Sequence, residues 1–168
     1  MALQSSGSTN ATSPLRELTF STLDEAVVDA RRLLDTGYIR NGNWDLGQIC
    51  WHIRTVQDRS IDGYPWYFGM FAFLRPIVRR TLLPKVLSGD SPRGVPTAPM
   101  FVPANELRDD EEVAALESSV ERFLQHQGSF YPHPGFGSLD REMLHRVHAA
   151  HAAHHLRFLQ VPSDDSVR

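Results

Sequence analysis

Eight histidines stand in 168 residues, and five of them crowd into one run, His145-Arg-Val-His148-Ala-Ala-His151-Ala-Ala-His154-His155. On a helix, at about 100° per residue, His148, His151 and His155 share a sector with Leu144, Val147, Phe158 and Leu159, and His145 and His154 flank it. Histidine is only intermediate in its tendency to be buried, and each ring nitrogen on an apolar stripe must find a partner. His151 and His155 are four apart, so their rings stand on adjacent turns, the spacing at which two imidazoles of one helix grip one metal ion. His148 and His155 are separated by roughly 10 Å along the axis and cannot easily share an ion. Spacing therefore leaves two pairs open, 151/155 and 148/151, each needing a third ligand from elsewhere. His52 is the best third candidate, because it lies between the apolar Ile49 and Val56 and a polar strip of Gln48, Thr55 and Arg59. Cys50, the single cysteine, projects to a different side and is a poor partner for it. A small-residue helix carrying solvated histidines is the plain alternative, and spacing does not decide against it. His126 and His145 read as surface residues.

The elements that must position these side chains are helical. Leu23, Ala26, Val27, Ala30, Leu33 and Leu34 mark a first helix near 22–36, with Thr22 and Glu25 as a capping box and Gly37 as its stop. Asn43 can cap a second helix from Trp44, striped by Leu46, Ile49, Cys50, Ile53 and Val56 and closed by Gly63-Tyr64-Pro65. Val113, Leu116, Val120, Phe123 and Leu124 form a third, with Asp109-Asp110-Glu111-Glu112 in its first turn and Gly128 at its end. The histidine helix starts after Ser138 and runs to about Gln160, ahead of Pro162. Between the second and third helices, residues 66–83 read as one or two shorter helices broken by Pro76, and 88–103, with four prolines and two glycines, as a long loop. No stretch alternates convincingly as a strand. The expected fold is all-α, a four-helix bundle with a long aromatic and proline-rich crossover.

Composition narrows the partners. Seventeen basic and twenty acidic residues give a net charge of -3, which argues against nucleic-acid binding, and one cysteine excludes a disulfide framework. Residues 1–15 lack the basic start and apolar core of a secretory signal and read as a disordered tail, 16–161 as one domain, and 162–168 as a second tail. The longest uncharged apolar stretch, Tyr64 to Leu74, is about half of the ~20 residues a membrane span needs. The expectation is a cytoplasmic protein.

Two separated motifs carry a family resemblance. Asn43-Trp-Asp-Leu-Gly-Gln-Ile49 with His52 and Ser60-Ile-Asp-Gly-Tyr-Pro65, then His133-Pro-Gly-Phe-Gly137 with His151-Ala-Ala-His-His-Leu-Arg157, resemble the signatures of a branch of the DinB-like (YfiT-type) superfamily, a branch of unknown function. The likeness covers about Leu18 to Gln160. It implies an up-and-down four-helix bundle with a central divalent metal, held by one histidine on the second helix and an HxxxH pair on the last, here His52, His151 and His155. The wider superfamily includes transferases that use a low-molecular-weight thiol.

Three neutral imidazoles would leave a divalent ion an open position for water or a substrate thiolate. Zinc, nickel and iron suit such ligands about equally. The expectation is a metal-dependent enzyme for a small-molecule substrate, thiol transfer leading and hydrolysis second. The alternative is a non-catalytic, stress-associated or small-molecule-binding protein whose metal braces the helices. Gln48 and Glu142 are candidates to orient the ligands from behind. His133, between Pro132 and Pro134, is either an acid/base group at the pocket or a residue that stiffens its loop. The run from Tyr64 to Phe73 holds six aromatics in ten residues and precedes Arg75, Arg79 and Arg80. The favoured reading makes these rings a cover for one end of the bundle and a wall of the pocket, with a membrane surface less favoured and a homodimer open.

Overall fold

Every amphipathic stretch named above folds as a helix in the computed structural model, which describes residues 15–90 and 97–162. The five α-helices are α1 (Leu23–Thr36), α2 (Leu46–Asp62), α3 (Arg75–Leu87), α4 (Asp109–Gln125) and α5 (Arg141–Leu156). Leu23, Ala26, Ala30 and Leu33 of α1 pack with Leu46, Ile49, Cys50 and Ile53 of α2, Val113, Leu116, Val120 and Phe123 of α4, and Leu144, Ala152 and Leu156 of α5 in one buried core. Helices α1 and α2 each pack against α4 and α5 and meet one another only lightly, while α3 lies on α5. A smaller cluster of Leu83, Phe136 and Val147 seals that outer contact.

The helix ends differ from the sequence expectation, for local reasons. Helix α2 begins later than Trp44, because Asp45 is its cap: the Asp45 carboxylate accepts from the Gln48 amide N–H at 2.8 Å, and Gln48 Oε1 accepts from the Asp45 N–H at 3.1 Å. This capping box satisfies two amide donors at once, which Asn43 could not do from its place. Thr22 makes no side-chain cap bond to α1; instead the Leu23 amide donates to His145 Nε2 at 3.1 Å. His145 is therefore half-buried and employed, not a surface residue. Asp140, not Ser138, caps α5 by accepting from the Met143 amide. Pro76 sits in the first turn of α3, where its missing N–H costs nothing, so it starts that helix instead of breaking one. Two short 3₁₀ turns, Trp66–Gly69 and Ala72–Leu74, precede it.

Helix α5 stops at Leu156, not Gln160. Leu159–Gln160 (β2) pairs antiparallel with Ile39–Arg40 (β1), Ile39 opposite Gln160 and Arg40 opposite Leu159. This two-residue ladder ties the end of α5 to the entrance of α2 and is too short to show alternation in sequence. Gly37 and Gly63, which follow α1 and α2, have φ of 74° and 92°. The expected tails, apart from residue 15 and Pro162, and the middle of the proline-rich loop at 91–96 lie outside the described residues.

Candidate metal centre

The capping box that starts α2 fixes the rotation of that helix, and with it the direction of His52, which is 3% exposed on the inner face. Its Nδ1–H donates to the main-chain carbonyl of Phe101 at 2.8 Å, in a 3₁₀ turn, Pro99–Phe101, of the connection before α4. That bond sets the tautomer and leaves the Nε2 lone pair free. Nε2 lies 3.2 Å from His151 Nε2, which in turn lies 3.0 Å from His155 Nε2. Among the described residues, His52, His151 and His155 are the group whose ligand atoms come within 4.8 Å of one another and could hold a metal ion.

Two observations show that this donor set fits a cation. Tetrahedral bonds of 2.0–2.1 Å place neighbouring nitrogens about 3.3–3.4 Å apart, close to the two spacings here. Protons alone serve the cluster poorly: His52 Nε2 carries none, and a single N–H on His151 cannot donate well to two neighbours at once. One divalent ion accepts all three lone pairs. Burial is the main cause that lowers the pKa of each ring; the Phe101 carbonyl partly offsets this at His52, while the charges of neighbouring histidines reinforce it at His151 and His155. All three are thus neutral at pH 7, the form that binds metal.

The trio opens on a cavity of about 970 Å³. Its walls are mostly apolar and include Trp44, Phe68, Leu82, Val86, Phe101 and Phe158. Trp44, just outside α2, lays its ring 4.9 Å from that of His52 and 5.7 Å from that of His155, centroid to centroid. Tyr64 also lines the cavity, with its Oη buried and without a hydrogen-bond partner among the described residues.

His148 does not join the cluster. It is 2% exposed and sits edge-on to Phe123 in the core, and the group that could hold an ion contains the 151/155 pair and not His148. His154 faces the cavity beside the trio, its ring 5.1 Å from that of His155. Gln48 does not support a ligand, since its amide is spent on the α2 cap and on the Ala104 carbonyl, and Glu142 is exposed in the first turn of α5. The Phe101 carbonyl fills that role, and a main-chain acceptor leaves no trace in sequence. His133 stiffens its loop: Nδ1 accepts from the amides of Gly135 and Phe136, the ring stacks on Phe136 at 4.5 Å, and burial lowers its pKa to about 4. It is neutral at pH 7 and holds its proton on Nε2. Of the aromatic run, Tyr64 and Phe68 line the cavity, whereas Trp66, Tyr67, Phe71 and Phe73 are exposed, so the expected pocket wall is only partly built from it.

Comparison with curated proteins and with solved structures finds no match in either. A family model matches residues 12–162, nearly the whole chain and all of the elements that build the histidine cluster, and the chain belongs to the family described as "Protein of unknown function (DUF1569)".

Proposed function

We propose that this chain is a divalent-metal-dependent enzyme of the DinB-like type, with α1, α2, α4 and α5 as its four-helix bundle and the segment between α2 and α4 as its crossover. His52, His151 and His155 are the ligands. The observation that carries the reading is the convergence of three neutral Nε2 atoms, one of them held in tautomer by a carbonyl, at the edge of an apolar cavity. Once bound, the ion supplies Lewis acidity and lowers the pKa of a thiol or water at its open position. The chain does the rest. His52 keeps its lone pair aimed through the Phe101 bond, Trp44 shields two ligands from solvent, and Phe68, Phe101, Leu82 and Val86 hold the apolar part of a small substrate. Thiol transfer is the leading reaction, because the cavity is lined mostly by apolar residues beside the histidines and metal activation of a thiol requires no further base. A structural metal is the competing reading, and three ligands beside an open cavity favour the catalytic one.

Elemental analysis of protein purified without a histidine tag tests the assignment. Close to one ion per chain is expected in the wild type and in His126→Ala, with loss in His52→Ala and in His155→Ala. Retention in both ligand variants overturns it. In the cobalt-substituted protein, 2-mercaptoethanol or azide is expected to shift the visible spectrum by entering the open position. No shift with either ligand leaves the metal structural.

A further inference from the structure

Seven of the twelve large hydrophobic residues that the described structure exposes fall in one stretch of twelve residues: Trp66, Tyr67, Met70, Phe71, Phe73, Leu74 and Ile77. Trp66 is 81% exposed and Phe73 74%. Apolar exposure so concentrated marks a surface that meets something. Charge indicates what. No acid stands between Asp62 and Asp90, while Arg75, Arg79, Arg80 and Lys85 all do, in a chain whose net charge is -3. None of the four enters an ion pair among the described residues; Arg75 and Arg79 donate only to the main-chain carbonyls of Pro134 and Ser138.

We propose that the outer face of residues 66–85 docks on an anionic lipid surface. Helix α3 is built for this: Val78, Leu82, Leu83 and Val86 turn inward, and Ile77, Arg80 and Lys85 turn outward with the aromatic turns before them. Aromatic rings beside cations, with no acid among them, match the interfacial zone of a bilayer carrying negative headgroups. A second copy of the chain fits less well. A two-fold interface through this patch brings two sets of its cations together, with no acid of the patch to neutralise them. The inner side of the same segment lines the cavity with Phe68, Leu82 and Val86, so docking would set one wall of the cavity against the lipid. The docking itself does not depend on the metal.

Co-sedimentation of the full chain with vesicles tests it, comparing pure phosphatidylcholine with phosphatidylcholine containing about a third phosphatidylglycerol. Binding to the anionic vesicles is expected, weakening with salt, together with a blue shift of tryptophan emission that Trp66→Phe removes. Arg79→Gln and Arg80→Gln should each weaken binding about five-fold. Phe71→Asp combined with Phe73→Asp should weaken it at least about tenfold. All these side chains are exposed, so the melting temperature should be unchanged, and His155→Ala should bind vesicles like the wild type. Absence of binding to the anionic vesicles, or binding indifferent to these substitutions, overturns the proposal. So does a concentration-dependent dimer in size-exclusion chromatography that Phe71→Asp/Phe73→Asp dissolves while no lipid is bound.

Discussion

Replacing His148 by leucine should make the protein more stable, and far more so in acid than at neutral pH. The residue is 2% exposed in the core, with Nε2 lacking any hydrogen-bond partner among the described residues, and burial lowers its pKa to about 3. An unpaired buried polar atom costs about 1–3 kcal/mol. Leucine removes that cost and forfeits an edge contact with Phe123 worth about 0.5–1.5 kcal/mol, so a gain of roughly 0–2 kcal/mol is expected near pH 7.5. The acid term is larger. Unfolded histidine titrates near pH 6.5, so below that the unfolded chain binds a proton that the folded chain refuses. Stability then falls by about 1.4 kcal/mol per pH unit as pH drops from 6.5 toward 3, and is flat above 6.5. Near pH 4.5 this single residue costs about 2.7 kcal/mol, and the advantage of His148→Leu grows to roughly 3–5 kcal/mol. Urea unfolding of both proteins at the two pH values, in chelator, measures it. The other histidines are common to both proteins, so the difference between the two reports mainly on His148. An equal stability difference at the two pH values, or a leucine variant less stable at both, refutes the reasoning.

Three further substitutions probe what holds the site in place. Asp109, the first residue of α4, accepts from the Gly47 amide at the start of α2 at 2.7 Å and from the Tyr38 hydroxyl at 2.9 Å; Asp109→Ala should cost about 2–3 kcal/mol in urea unfolding. A cost under about 0.5 kcal/mol would show that this staple between the two helices contributes little. Gly63 has φ of 92° and a Cβ there would sit 3.2 Å from the Tyr131 ring, so Gly63→Ala should lose about 1–3 kcal/mol, read as a lowered melting temperature. Pro99→Gly loosens the turn whose carbonyl orients His52 without touching a ligand; it should weaken metal binding about tenfold while leaving one ion per chain at saturation. An unchanged affinity would remove Phe101 from the site.

The stripes of α1, α2, α4 and α5 were readable because an amphipathic period of 3.6 survives in sequence wherever one face is buried against a common core. The histidine trio was only partly readable that way: spacing put His151 and His155 on one face and made His52 a third candidate, but it left the 148/151 pair open, and only the family resemblance chose between them. Capping was less so, because Asn43, Asp45, Ser138 and Asp140 are all good caps and the choice rests on which residue's amides have a partner three positions on. The partners of His52 and His145 were hidden. One is a main-chain carbonyl some fifty residues away and the other a main-chain amide on α1. His148 misled in the opposite direction, since a periodicity that places an imidazole on the buried side cannot say whether a ligand or a phenylalanine awaits it.

The alternation of alanine and histidine in α5 does two jobs that only this pairing of residue sizes can combine. Ala149, Ala152 and Ala153 are buried, and their small side chains let α5 lie close against its neighbours in the core. On the next face, His151, His154 and His155 project into the space between α5 and α2, where large apolar residues would otherwise have interlocked. Helix α2 is held from its other flank, where Asp109, the Arg54–Glu112 ion pair at 2.7 Å and the Gln57–Ser119 hydrogen bond at 2.9 Å fasten it to α4. With α2 fixed to α4 and α5 seated on α1, the α2–α5 seam need not be filled to hold the fold together. A cavity is tolerable there, and three rings whose burial leaves them neutral can meet at its edge. The position of the site follows from which seam the polar staples leave unburdened.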